Sequence, residues 1–89
     1  MTVTLEISLY PLKDEYESDI IPFIQSLNSN SEIQVYTNAM STYVKGDWEV
    51  VNNVMSTALE SLWSKGGTSS TVMKIIPRDL PVETGFFRL

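Results

Sequence analysis

The chain opens on a strict alternation of apolar and polar positions. Every second residue from Val3 to Leu9 is apolar, and hydroxyl or carboxylate side chains lie between these positions. A period of two predicts a β-strand with one buried face. Pro11 has no N–H to donate to a neighbouring strand, so we expect the strand to end there.

From about residue 18 the apolar spacing becomes that of a helix. Apolar residues recur at intervals of three and four between Ile20 and Leu27 and form a single stripe. Ser18 or Asp19 is the predicted N-cap, because a short polar side chain there accepts from the first free N–H groups. Pro22 then falls within or just past the first turn, where its missing N–H does little harm.

A second helix is predicted to begin at Asp47, a strong N-cap residue. Apolar residues at helical spacing follow between positions 50 and 62. Lys65, Gly66 and Gly67 then end the helix, because glycine adopts the positive φ that many helix ends require.

Three further strands are predicted, at residues 32–38, 41–45 and 71–76. A tight turn near Asn38 joins the first two into a hairpin. The order strand, helix, strand, strand, helix, strand predicts an α+β ferredoxin-like βαββαβ sandwich, with a four-stranded antiparallel sheet and two helices on one face. We expect one domain, residues 1–77, and a C-terminal tail, residues 78–89.

One face of such a sheet has no helix over it. The residues expected beneath the helices are Leu5, Ile7, Val35, Val44, Met73 and Ile75. Those expected on the open face are Thr4, Glu6, Ser8, Gln34, Tyr36, Tyr43, Val72, Lys74 and Ile76. Because the open face combines tyrosines with aliphatic side chains, it favours a homo-oligomer, a dimer or a tetramer, formed through this face. A solvated face is the alternative.

The composition excludes several kinds of site. The chain has no cysteine and no histidine, which removes disulfides, thiolate nucleophiles, imidazole bases and the usual zinc ligands. Its net charge of −5 disfavours nucleic acid and anionic membranes as partners. With no apolar run of membrane-spanning length and no signal-peptide pattern, we expect a cytoplasmic protein without a metal or a cofactor.

The sequence gives no pattern that predicts catalysis. Glu6 is an acid within a predicted strand, and a solvated or ion-paired side chain is the ordinary state of such a residue. Acyl phosphatases share the predicted topology, but they need an arginine in a phosphate-binding loop. The first arginine here is Arg78, which follows all the predicted strands. We therefore expect a binding protein and not an enzyme.

Neutral polar side chains are concentrated in residues 36–47, which contain the predicted hairpin. They include Thr37, Asn38, Ser41 and Thr42. An amide offers a donor beside an acceptor, which matches the edge of an aminopyrimidine, and Met40 or Tyr10 can cover an aromatic ring. These residues predict a small polar-lined pocket, and ordinary turn chemistry is the alternative explanation.

Taken together, these segments resemble the thiamine/hydroxymethylpyrimidine-binding YkoF-like family. The resemblance rests on Ser8-Leu9-Tyr10-Pro11, on Tyr16 with residues 20–24, on Thr37-Asn38-Ala39-Met40-Ser41-Thr42 with Val44, Gly46 and Asp47 after it, and on residues 72–75. It covers residues 3–77, and the order and spacing of the segments make it more specific than any one of them.

The resemblance implies a ferredoxin-like domain that associates through its sheets and binds thiamine or its pyrimidine moiety without transforming it, in uptake or salvage. It implies ligand-binding positions at Ser8, Tyr10, Thr37, Asn38, Met40, Ser41 and Thr42. Asp47 is a candidate partner for the pyrimidine ring nitrogen, although an N-cap also accounts for it. The alternative function is an oligomeric structural or regulatory interaction module without a small-molecule ligand.

Overall fold

The computed structural model describes residues 1–12, 17–66 and 68–84. Tyr16, Gly67 and the end of the predicted tail, residues 85–89, lie outside this part of the chain. The elements in chain order are β1 (Thr2–Pro11), α1 (Glu17–Asn28), β2 (Gln34–Thr37), β3 (Thr42–Asp47), α2 (Trp48–Ser64), β4 (Ser69–Ile76) and a short 3-10 helix (Val82–Thr84).

The four strands form one antiparallel sheet in the order β2-β3-β1-β4. Leu5 of β1 lies between Val44 of β3 and Ile75 of β4, so the apolar positions predicted for these strands share one face. This arrangement confirms the predicted ferredoxin-like α+β fold.

The hydrophobic core lies between the sheet and the two helices. Leu5, Leu27, Val44 and Val51 have the most completely buried large side chains. They come from β1, α1, β3 and α2, so no pair of neighbouring elements completes the core alone. The predicted apolar stripes of both helices face this core.

The helix boundaries agree with the sequence at α2 and differ at α1. Asp47 caps α2 as predicted, since a side-chain oxygen accepts from the N–H of Glu49 at 3.2 Å. Gly66 follows the helix with φ of 83°, a conformation that favours glycine. The N-cap predicted for α1 was wrong by two or three positions, because the helix begins at Glu17 and includes both Ser18 and Asp19. In the part of the chain that the structure describes, no helix is both long and apolar enough to cross a membrane.

The edge strand β4 is less covered than predicted. Met73 and Ile75 lie on the helix-facing side, but they are 43% and 45% exposed. The prediction that they pack beneath the helices was wrong, because the helices lie mainly over β1, β2 and β3. Val72 and Ile76 on the other side are also exposed, so β4 presents apolar side chains on both faces.

The chain folds back after β4 and covers part of the open sheet face. We call residues 77–84 the strap. It crosses β1 at Thr4 and reaches Lys45 of β3, and these two residues are only 4% and 5% exposed. Thr4 was predicted on the open face, and the structure places it there but beneath the strap.

Candidate functional site

A cavity of about 250 Å³ opens where β1 ends, between α1 and the β2–β3 hairpin. Its lining consists of Ile7, Ser8, Leu9, Tyr10, Ile20, Phe23, Ile24, Thr37, Asn38, Ala39, Met40, Ser41 and Thr42. All seven positions predicted for ligand binding are among these residues. The fold therefore brings together two segments that lie about thirty residues apart, since Ile7 of β1 pairs with Thr42 of β3.

The hairpin tip is built around the side chain of Asn38. Its Oδ1 atom accepts from the backbone N–H of Met40 at 2.8 Å and from that of Ser41 at 2.9 Å. The N–H of Asn38 donates to the carbonyl of Ser41 at 3.0 Å and closes the turn. Because a carbonyl oxygen has two lone pairs, this turn occupies the acceptor of Asn38. The sequence suggested an adjacent donor and acceptor for a ligand, whereas the geometry leaves the amide N–H groups for that role.

Two pairs of hydroxyl groups provide further polar atoms in the cavity lining. The Oγ1 atoms of Thr37 and Thr42 lie 3.1 Å apart across the hairpin. The Oγ atoms of Ser8 and Ser41 lie 3.4 Å apart, and the Ser41 hydroxyl also donates to the carbonyl of Ile7 at 3.2 Å. Each hydroxyl can donate one hydrogen bond and accept others, so these pairs can reorient toward a ligand's donors or acceptors.

The opposite wall is apolar and comes from α1. Ile20, Phe23 and Ile24 line it, although the sequence did not assign them to the site. Their helical spacing predicted a core stripe, and Phe23 is indeed buried in the core. The sequence feature that could have assigned these residues to the site is the position of the stripe, which follows the strand that carries Ser8 and Tyr10. An apolar wall opposite hydroxyl groups suits an aromatic ring with one polar edge.

Two large side chains stand at the mouth of the cavity. Met40 at the hairpin tip is 86% exposed, and Tyr10 near the end of β1 is more than half exposed. Both line the cavity while much of their surface remains in solvent. A thioether and a phenol ring in this position can pack against a bound heterocycle.

The described residues that line the cavity carry no formal charge. Asp47, the candidate partner for a ring nitrogen, pairs with Thr2 at the other end of β1. Its carboxylate accepts from the N-terminal amine of Met1 at 3.2 Å, and this hydrogen bond is the main cause of its lowered pKa. Asp47 therefore caps α2 and does not reach the cavity.

Glu6, the acid considered for catalysis, points to the open sheet face. Its carboxylate lies 3.4 Å from the ammonium group of Lys74 on the adjacent strand. Throughout residues 1–12, 17–66 and 68–84, no group of three or more carboxylate side chains is placed to hold a metal ion. Glu6 is thus an ion-paired surface acid outside the cavity lining.

Solved structures with the same fold come from distant organisms. A Streptococcus pneumoniae protein superposes with a TM-score of 0.82 at 15% identity, covering 96% of this chain and 97% of its own. A hypothetical protein from Methanocaldococcus jannascii superposes with a TM-score of 0.73 at 22% identity, and the match covers 88% of this chain and 81% of that protein. A Thermotoga maritima protein, with a suggested role in thiamine biosynthesis or salvage, superposes with a TM-score of 0.80 at 16% identity. This match covers 94% of this chain and 95% of that protein. At sequence identities this low, the superpositions show a shared fold and nothing about function.

The sequence itself identifies the family. Comparison with curated proteins gives no significant match. A family model described as thiamine-binding protein matches residues 5–80, which include β1 from Leu5 onward, every later element through β4, and every residue that lines the cavity. This chain belongs to the thiamine-binding protein family.

Proposed function

We propose that this protein binds thiamine or a related aminopyrimidine, such as hydroxymethylpyrimidine, in the cavity between α1 and the hairpin. The observation that carries the proposal is the cavity itself, whose lining includes all seven positions that the sequence suggested. Membership of the thiamine-binding protein family supports this class of ligand. Ser8, Tyr10, Thr37, Asn38, Met40, Ser41 and Thr42 are the proposed binding residues.

The size and neutrality of the cavity favour one orientation of thiamine. Drug-sized ligands occupy pockets of about 300–1,000 Å³, so a cavity of about 250 Å³ suits a single ring with its substituents. Thiamine joins a neutral aminopyrimidine to a positively charged thiazolium ring. Since burying an unpaired charge is costly, the pyrimidine enters the cavity and the thiazolium stays near the mouth, beside Tyr10 and Met40.

Each part of the lining has a role in this proposal. Phe23 and Ile24 contact the face of the pyrimidine ring, and the hydroxyl pairs meet its polar edge. The amide N–H of Asn38 donates to a ring nitrogen, because its Oδ1 atom is already occupied in the turn. The ligand is released chemically unchanged, so the protein has no catalytic activity. It acts in the cytoplasm as a carrier in vitamin uptake or salvage.

Self-association is the second part of the proposal. The open sheet face carries exposed Val72 and Ile76 on β4 and half-buried Tyr36 and Tyr43 on β2 and β3. Exposed apolar patches of this kind mark contact surfaces, and a second copy of this chain is the proposed occupant, giving a dimer or a tetramer.

Titration calorimetry with thiamine and with hydroxymethylpyrimidine tests the ligand directly. We expect saturable one-to-one binding of both compounds, because the pyrimidine ring they share occupies the cavity. Nuclear magnetic resonance spectra of the ligand after prolonged incubation should show no new compound. Absence of both heat and a thermal shift at millimolar concentration would reject the binding proposal. Appearance of a product would reject the non-catalytic role.

A further inference from the structure

Backbone N–H groups at the hairpin tip are already used inside the protein. Successive N–H groups in a turn can form a binding site for phosphate. Here those of Met40 and Ser41 donate to the side chain of Asn38 at 2.8 and 2.9 Å, and that of Asn38 donates to the carbonyl of Ser41 at 3.0 Å. These three donors are therefore not free to bind an anion in the cavity.

Most of the hydroxyl hydrogens in the cavity lining are also used. Ser41 donates its single hydroxyl hydrogen to the carbonyl of Ile7, so Ser8 must be the donor in its 3.4 Å contact with Ser41. One hydrogen of the Thr37 and Thr42 pair is used between the two threonines in the same way. This arrangement leaves one hydroxyl hydrogen for a ligand, whereas every hydroxyl oxygen keeps a lone pair. The lining is thus rich in acceptors and poor in donors.

The cavity also lacks a positive charge. In the described part of the chain, no basic side chain lines it. The basic side chains described there are those of Lys45, Lys65, Lys74 and Arg78. Lys45 is buried against Asp79 and Glu83 at the other end of β1, and Lys74 lies 3.4 Å from Glu6 on the open sheet face. Both lysines are therefore committed to carboxylates outside the cavity.

The sequence that joins the two walls of the cavity is acidic. Residues 13–19 connect β1 to the beginning of α1, and they contain one lysine against four acids, so their net charge is −3. Directly after them, Ile20 already lines the cavity. The whole chain has a net charge of −5. This charge balance favours a neutral or cationic ligand and opposes the approach of an anion.

We propose that the cavity selects the unphosphorylated forms of its ligand, free thiamine and hydroxymethylpyrimidine, and excludes their phosphate esters. The inference rests on the proposed function and specifies which members of the ligand class bind. A phosphate group brings negative charge and acceptor oxygens to a lining that has no cation and few free donors, and burying it there is costly. The amino group of the pyrimidine instead supplies hydrogens for the hydroxyl lone pairs.

The position of the phosphate sets the strength of the exclusion. In hydroxymethylpyrimidine the alcohol is a substituent of the pyrimidine ring, so its phosphate would lie beside the buried ring. In thiamine the alcohol is on the side chain of the thiazolium ring, which stays near the mouth of the cavity. Because water and salt screen charges outside the cavity, the pyrimidine ester should be excluded more strongly than the thiamine ester.

Titration calorimetry of the unmodified protein with the four compounds tests this selectivity. The phosphate ester of hydroxymethylpyrimidine should bind at least about a hundredfold more weakly than the alcohol. Thiamine monophosphate should bind about threefold more weakly than thiamine at low salt, and a salt concentration of about 1 M should remove this smaller difference. Equal affinities for hydroxymethylpyrimidine and its ester would overturn the inference and leave the proposed function intact. Absence of binding by both unphosphorylated compounds would reject the two together.

A lysine introduced at the mouth should relax the selectivity. Ala39 lines the cavity at the hairpin tip and has a negative φ, so Ala39→Lys adds an ammonium group there without backbone strain. Thr57→Lys is the matched control, because it changes the net charge equally on the exposed surface of α2. Urea unfolding shows whether both variants are folded.

The ratio of the affinities for hydroxymethylpyrimidine and its phosphate ester is the quantity to compare. It should fall about tenfold in Ala39→Lys, because a charge-assisted contact then meets the phosphate, and stay within about twofold in Thr57→Lys. An unchanged ratio in Ala39→Lys, or an equal fall in the two variants, would overturn the inference.

Discussion

Replacing Thr42 by valine should weaken binding of thiamine and of hydroxymethylpyrimidine about tenfold. The substitution keeps a β-branched shape that suits a strand and removes the hydroxyl group that faces Thr37 in the cavity. A ligand group that met this hydroxyl then lies unpaired in a partly dry site, which costs about 1–3 kcal/mol. A loss of about 1.4 kcal/mol corresponds to a tenfold change in affinity.

Titration calorimetry of the variant gives the affinity, and urea unfolding shows whether the fold is intact. Thr37 is exposed, so its own hydroxyl can bond to water after the substitution, and we expect little change in stability. Thr57→Val on the exposed surface of α2 is the matched control. Equal affinity in both variants would show that the ligand does not contact Thr42.

Replacing Leu27 by alanine should cost about 2–5 kcal/mol of unfolding free energy. Leu27 lies on the core-facing side of α1 and is fully buried, so the shorter side chain leaves a cavity that rigid neighbours cannot close. Domains of this size have about 5–15 kcal/mol of stability in total, so the variant loses a large fraction of it. The melting temperature should fall by at least about 8 °C.

The control for this prediction lies on the same helix. Ile21 is more than half exposed, and Ile21→Ala removes apolar atoms that are mostly in water already. It should change the unfolding free energy by less than about 1 kcal/mol, partly because alanine favours a helix. Similar losses in the two variants, measured by urea unfolding, would contradict the placement of the core.

Much of the fold could be predicted because its signals are local. The alternation in β1 fixes which face is buried, and the stripe of α1 fixes which side of that helix meets the sheet. The N-cap at Asp47 and the helix end at Gly66 depend on neighbouring residues alone, and both were predicted. The start of α1 was missed because helix boundaries depend weakly on sequence.

The candidate site was predictable in part for the same reason. Hydroxyl and amide residues in a tight turn are visible in the sequence, and their positions suggested a pocket. The occupied acceptor of Asn38 could not be foreseen, since it depends on the backbone path through Met40 and Ser41. The wall formed by Phe23 and Ile24 depends on where α1 packs against the sheet.

By itself, the sequence determined the types and order of the four strands and two α-helices, the buried faces of β1 and both helices, and the absence of cysteine and histidine chemistry. The tertiary structure alone decided that one cavity joins β1, α1 and the hairpin, and that the strap covers Thr4 and Lys45. Thr4 and Leu80 are 76 positions apart, so no local pattern records their contact. Such contacts form only when the whole sheet has brought distant segments together.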